Sequence, residues 1–276
     1  MDIRKTICYL VMSIGIISCT YTRQVDTTKN NIANITNNLQ EYIPVGDSIY
    51  NKIVWLGAID NHADKLLQLV MTDISKKEFD KYKNQYTPLL SNDSSRIHIN
   101  WTDSTFSFKS SDKIITYPIY DRTRNIYNYP EWWVEYKGYI PEISLYILEN
   151  WHSGEFMIGE SFWVDSLTNT RYNISVNTDG PASVPLLSPN QDRMIVSATY
   201  EWDEYPSVFV IRITRSNKAY TLENYACLHI NENTESISDI SINDIIWIDN
   251  NTFLLKLETH NPPKELKYKK VELPSE

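Results

Sequence analysis

The sequence predicts a mainly β fold, with antiparallel strands in repeats of about 48 residues preceded by a small helical segment. Three observations carry this. From about residue 95 onward, apolar residues recur with period two in short runs rich in Ile, Val, Tyr, Phe, Trp and Thr, as half-buried strands require. Between the runs lie turn clusters such as Leu167-Thr168-Asn169, Arg215-Ser216-Asn217-Lys218 and Asp249-Asn250-Asn251. Finally, Pro141 and Pro189 stand 48 residues apart, each ahead of an apolar run. At the same offset Asn169 matches Asn217 and Tyr172 matches Tyr220.

Taken in order, the chain opens with basic Arg4 and Lys5 and an apolar stretch, Ile7 to Ile17, too short to span a bilayer but suited to secretion. It ends Ile16-Ile17-Ser18-Cys19. This resembles the lipobox of bacterial lipoproteins, Bacteroidota-like ones included. The resemblance implies cleavage before Cys19, acylation of that residue and insertion of the acyl chains into a lipid bilayer. Residues 1–18 are then a signal peptide. Thr20, where retained lipoproteins carry Asp, implies the outer membrane. The lack of an acidic cluster after Cys19 favours a periplasm-facing position over the cell surface. Of three cysteines, Cys8 leaves with the signal and Cys19 is lipidated, so Cys227 remains, in an apolar run where a buried inert thiol is expected.

Residues 19–48 are polar and rich in Asn and Thr, and read as a tether. A flexible chain of that length spans about 30 Å. Residues 49–90 read as a helical segment. From Asp60, the residues Ala63, Leu66, Leu67, Val70, Met71 and Ile74 fall at helical spacing. Ser75 and Glu78 have capping-box spacing ahead of a second helix at 76–86, which Pro88 ends. Residues 91–276 then hold thirteen strand-like runs. They cover 96–101, 105–110, 113–117, 132–136, 144–149, 155–165, 170–174, 193–199, 207–214, 219–223, 244–248, 252–258 and 266–271.

Two of the turns carry a second likeness. Ser188-Pro189-Asn190-Gln191-Asp192-Arg193-Met194-Ile195-Val196 resembles the hairpin of TolB-like and WD40-like β-propeller blades. Trp247-Ile248-Asp249-Asn250-Asn251-Thr252-Phe253-Leu254 resembles its variant form. The likeness covers residues 139–258 and implies propeller-like repeats. Gln191 and Asn251 replace the usual turn glycine, and about four units is few for a propeller. A partial propeller, an open twisted sheet and a sandwich all fit the pattern.

Composition narrows the function. There are 35 acidic and 26 basic side chains among 276 residues, for a net charge of −9, which becomes −10 once residues 1–18 are removed. With a pI near 5.1, this argues against a nucleic-acid partner. Apolar residues make up 42% of the chain, which excludes intrinsic disorder. Gly is scarce at 7, whereas Asn numbers 25. Asn tolerates positive φ best after Gly, so the shortage leaves a turn-rich fold standing.

No sequence motif for phosphate, dinucleotide, calcium or zinc binding occurs, and no catalytic residue, metal or cofactor is assigned. Asp60-Asn61-His62-Ala63-Asp64 reads as a helix start rather than a metal site. The aromatic residues carry the binding expectation. Trp132, Trp133 and Trp151, with Tyr200, Glu201, Trp202, Asp203, Glu204 and Tyr205, set flat rings beside carboxylates, a combination suited to stacking a sugar. The expected function is a non-catalytic binding or interaction module with a protein partner. Glycan binding through the aromatic loops is the alternative, and a carboxylate-dependent hydrolase comes last.

Overall fold

The computed structural model describes residues 47–57, 66–83, 85, 90–91, 93–120, 130–153, 157–176, 180–198, 206–217, 219–230, 240–259 and 263–274. The signal peptide, Cys19, the tether up to residue 46, the segment Asp60–Asp64 and the cluster Tyr200–Tyr205 lie outside them. Residues 43–276 form one unit.

The fold is mainly β. All thirteen strand-like runs fall on strands, which assemble into four antiparallel meanders met one after another along the chain. Sheet I contains β4 (His98–Asn100), β5 (Thr105–Ser110) and β6 (Lys113–Pro118). Sheet II contains β7 (Trp132–Ile140), β8 (Leu145–Ser153), β9 (Met157–Asp165) and β10 (Thr170–Ser175). Sheet III contains β11 (Leu186–Leu187), β12 (Arg193–Ala198), β13 (Ser207–Ser216) and β14 (Ala219–His229). Sheet IV contains β15 (Ile240–Trp247), β16 (Thr252–Thr259) and β17 (Leu266–Glu272).

Apolar layers join the sheets in series. Phe106, Phe108 and Ile115 of sheet I pack on Tyr146, Leu148 and Phe162 of sheet II. Leu145, Ile147 and Trp163 of sheet II pack on Met194, Val196 and Ile211 of sheet III. Ile195, Val208 and Val210 of sheet III pack on Trp247, Phe253 and Leu255 of sheet IV. Covered on both faces, sheets II and III bury both alternating sets of side chains, and for that reason β12 is buried at every position. In β6 only one face is covered, and it keeps the alternation. No described layer joins sheet I to sheet IV, so the described residues show no closed ring.

Three strands of the expected helical segment belong to these sheets. β1 (Lys52–Gly57) runs parallel to β10, β2 (Leu67–Gln68) parallel to β14, and β3 (Met71–Asp73) antiparallel to β17. These three strands thus form a strap along the last strands of three successive meanders, hydrogen-bonding edges that would otherwise be left open. The helix expected from Asp60 to Ile74 is corrected accordingly, since its C-terminal half is strand. The reason lies in burial. Leu67 and Val70, two members of the helical apolar set, are exposed, whereas Leu69 between them is buried. Edge pairing outweighs the local periodicity.

Asn224 carries the strap from sheet II to sheet III. Its side-chain amide donates to Gly57 O at 3.1 Å and accepts from Gly57 N at 2.8 Å, mimicking a strand neighbour. Gly57 has φ +93°, and a Cβ there would stand 2.1 Å from Ser175 O, so only glycine fits.

The second helix forms as α1 (Lys76–Lys83), and Gln85 beyond it lies in a turn. Ser75 Oγ accepts from Glu78 N at 3.2 Å, as its capping spacing requires. Phe79 is buried against Ile246, Leu254 and Tyr268, so α1 caps the outer face of sheet IV.

The two propeller-like turns meet. Asn190 N donates to Asn250 Oδ1 at 2.8 Å, and the buried Arg193 guanidinium donates to Asn250 O at 2.8 Å and to Asn251 Oδ1. Gln191, Asn169 and Asn217 have φ of +63°, +55° and +53°, so their turns use non-glycine residues in the left-handed region, whereas Asn251 does not adopt it. The 48-residue offset holds for Ile147 and Ile195, each facing the following sheet. It does not hold for Tyr172 and Tyr220, which enter one layer from opposite sheets.

Candidate functional site

Successive strand residues point to opposite faces, and this divides the expected aromatic cluster. Trp132 faces sheet I, whereas Trp133 faces the other way, with Trp151 as its cross-strand partner. The three indoles therefore do not form one platform. The expected loop residues Tyr200, Glu201, Trp202, Asp203, Glu204 and Tyr205 link β12 to β13 outside the described residues.

On the first face lies a cavity of about 250 Å³, lined by Glu131, Trp132, Asn150, His152 and Arg171 above Tyr117 and Phe162. Cross-strand register builds it. Trp132 pairs with His152 and His152 with Ile158, while Asn150 pairs with Glu160. The Asn150 amide lies 2.8 Å from His152 Nε2. Asn150 Oδ1 is buried without a hydrogen-bond partner. Arg171 lies 4.3 Å from the centroid of Phe162 and 5.6 Å from that of Tyr50, and its Nε donates to Asn173 Oδ1 at 2.6 Å. The Tyr50 and Tyr117 hydroxyls bond each other across the floor, tying the start of the strap to sheet I.

A second cavity of about 110 Å³ lies beside it, lined by Trp55, Ile158, Glu160 and Asn173, and shares Phe162 and Arg171 with the first. Trp55 is 57% exposed. Of these residues, sequence reasoning found Trp132, but missed Trp55, Glu131, His152, Glu160, Arg171 and Asn173. The missed signal was the period-two spacing of Glu160 with Phe162 and of Arg171 with Asn173, which places polar groups on one sheet face.

On the opposite face, Trp133 is 1% exposed and stacks on Trp151 with ring centroids 6.2 Å apart and planes at 10°. The Trp151 ring lies across Gly159, where a Cβ would stand 2.9 Å from it. Beside the pair, Lys137 Nζ lies 3.2 Å from Glu149 and 3.8 Å from Glu135, and the Trp133 indole donates to Glu135 at 3.4 Å. Burial pushes the Glu149 carboxyl above the usual carboxylate range, and the Lys137 charge opposes this only in part.

This shift has a testable consequence. A raised folded-state pKa means that the folded protein holds the Glu149 proton more tightly than the unfolded chain does. The resulting stabilisation is full below about pH 4, near the free value. It is lost as pH rises through the folded-state value. Glu149→Gln is therefore expected to melt above the parent at neutral pH and to converge with it in acid. Equal melting curves at both ends of a pH series from acid to neutral would refute this.

Cys227 is buried, with Sγ 3.7 Å from His229 Nε2. Among the described residues no group of three His, Cys, Asp or Glu side chains could hold a metal ion. No family model, curated protein or solved structure matches the chain.

Proposed function

We propose that this protein is a lipid-anchored, non-catalytic binding module at a bacterial envelope. Cys19 carries the acyl chains in the outer membrane, residues 19–48 act as the tether, and the β unit faces the periplasm. The four meanders are read as propeller-like units in an unclosed series, with the layers between sheets II, III and IV as support for that reading. One observation carries the binding reading, namely the cavity beside Trp132. It combines an aromatic wall with a small set of convergent polar groups, the make-up of a ligand site.

Of the two ligand classes the sequence suggests, protein and glycan, the cavity favours the glycan. Glu131, Asn150 and His152 offer acceptors and donors to hydroxyl groups, while the Trp132, Tyr117 and Phe162 rings offer flat apolar surface. A panel of oligosaccharides titrated against intrinsic tryptophan fluorescence tests this. The parent is expected to respond, and Trp132→Ala to lose affinity by about tenfold or more, as the removal of a central aromatic anchor does. Silence across the panel together with a stable protein partner would overturn the glycan reading. Cleavage of a bound chain would overturn the non-catalytic one.

A further inference from the structure

Resting on that glycan reading, we propose that the two cavities form one continuous groove for a linear, uncharged oligosaccharide. The chain lies diagonally across sheet II between Trp55 and Trp132.

The path follows from the strand order β1-β10-β9-β8-β7, which puts Trp55 and Trp132 on the two outermost strands. Trp55 pairs with Asn173, and Asn173 with Phe162 on β9. Four residues back along β9, Ile158 leads through His152 to Trp132. Four strand spacings and four residues of rise separate the indoles by roughly 23 Å in a flat sheet. Between them Glu160 and Asn150 are cross-strand neighbours, and Phe162 and Arg171 line both cavities.

The chemistry selects the occupant. A ligand crossing strands on the face of a sheet has no backbone edge to pair with, unlike a peptide added to an edge. It is held by side chains alone. Those present are indoles at both ends, with amides and carboxylates between, which suits a chain of apolar ring faces and equatorial hydroxyls. Glu131 and Glu160 repel an acidic polymer, and Arg171 repels a cationic one, so the groove favours no net charge. Its length fits several rings rather than one. Trp55 gains a purpose by this reading, since more than half of a large indole otherwise faces water on the outermost strand of the sheet.

The test is calorimetric titration of the lipidated protein in detergent with neutral cello- and chito-oligosaccharides, from monosaccharide to hexasaccharide. Affinity is expected to climb with chain length until both indoles are engaged. Trp55→Ala is expected to flatten that climb, so that long chains bind about tenfold more weakly while short ones bind as before. Glu160→Ala, also at an exposed position, is expected to weaken long chains similarly, and both variants should melt with the parent. If Trp55→Ala leaves the length dependence intact while Trp132→Ala removes binding, the continuous groove is wrong and the single-cavity reading stands. If no neutral oligosaccharide binds the parent, or an extended peptide competes for the same face, the glycan reading itself fails.

Discussion

Trp163→Ala is expected to cost about 3–5 kcal/mol of stability, the usual penalty for truncating a fully buried indole. For a unit of this size that corresponds to a fall in melting temperature of about 6–20 °C. Trp163 sits on β9, near the centre of sheet II, with no exposed surface. Its in-register neighbours are Tyr172 and Ile147, and sheet III faces it with Met194, Val196 and Ile211. Two sheets close over the ring, so the layer has little room to collapse and alanine leaves a cavity. The indole Nε1 is buried without a partner. Trp163→Phe should therefore cost much less, because it keeps ring area and removes a donor that already stands unsatisfied. Denaturant unfolding of the three proteins measures this. A loss below about 1 kcal/mol for alanine would mean that sheets II and III do not share a rigid core.

The second large effect is expected at the other end of the chain. Cys19→Ala should move the protein from the membrane fraction to the soluble fraction and abolish incorporation of labelled fatty acid. Buried acyl chains contribute about 0.8 kcal/mol per methylene, so two or three chains hold a protein firmly without help from charge. The acidic balance of the sequence offers no electrostatic substitute, since a polybasic patch is what would compensate for a lost chain. Membrane retention of the alanine variant would overturn the anchor and, with it, the proposed placement at the envelope.

Much of the fold was legible in the sequence, for a local reason. In a run such as Thr105–Ser110, Phe106 and Phe108 alternate with Ser107 and Lys109, and the observed strand buries both phenylalanines. The turns were equally legible, because Asn169 and Asn217 advertise the left-handed conformation they adopt. The site was legible only in part. Trp132 and Trp133 stood out together as adjacent aromatics, yet the pleat sends one into a cavity and the other into the core. Arg171 and Asn173 look like ordinary polar strand residues until the strand order sets them between two indoles.

What the sequence determined by itself, then, is the thirteen strand-like runs beyond residue 95, most of the turns between them and the lipobox-like N-terminus, all written in short-range patterns of side-chain polarity. Tertiary structure alone decided three other things. It decided that the strands of residues 52–73 pair with β10, β14 and β17, distant edges that no local pattern names. It decided that sheets II and III are covered on both faces, which hides the alternation that would have told inside from outside. It also decided that polar and aromatic side chains of sheet II line two adjacent cavities on one face. The physical reason is the same in each case. A strand's own residues fix its extended shape, whereas the partner for its edge and the cover for its face come from chain segments far away in sequence.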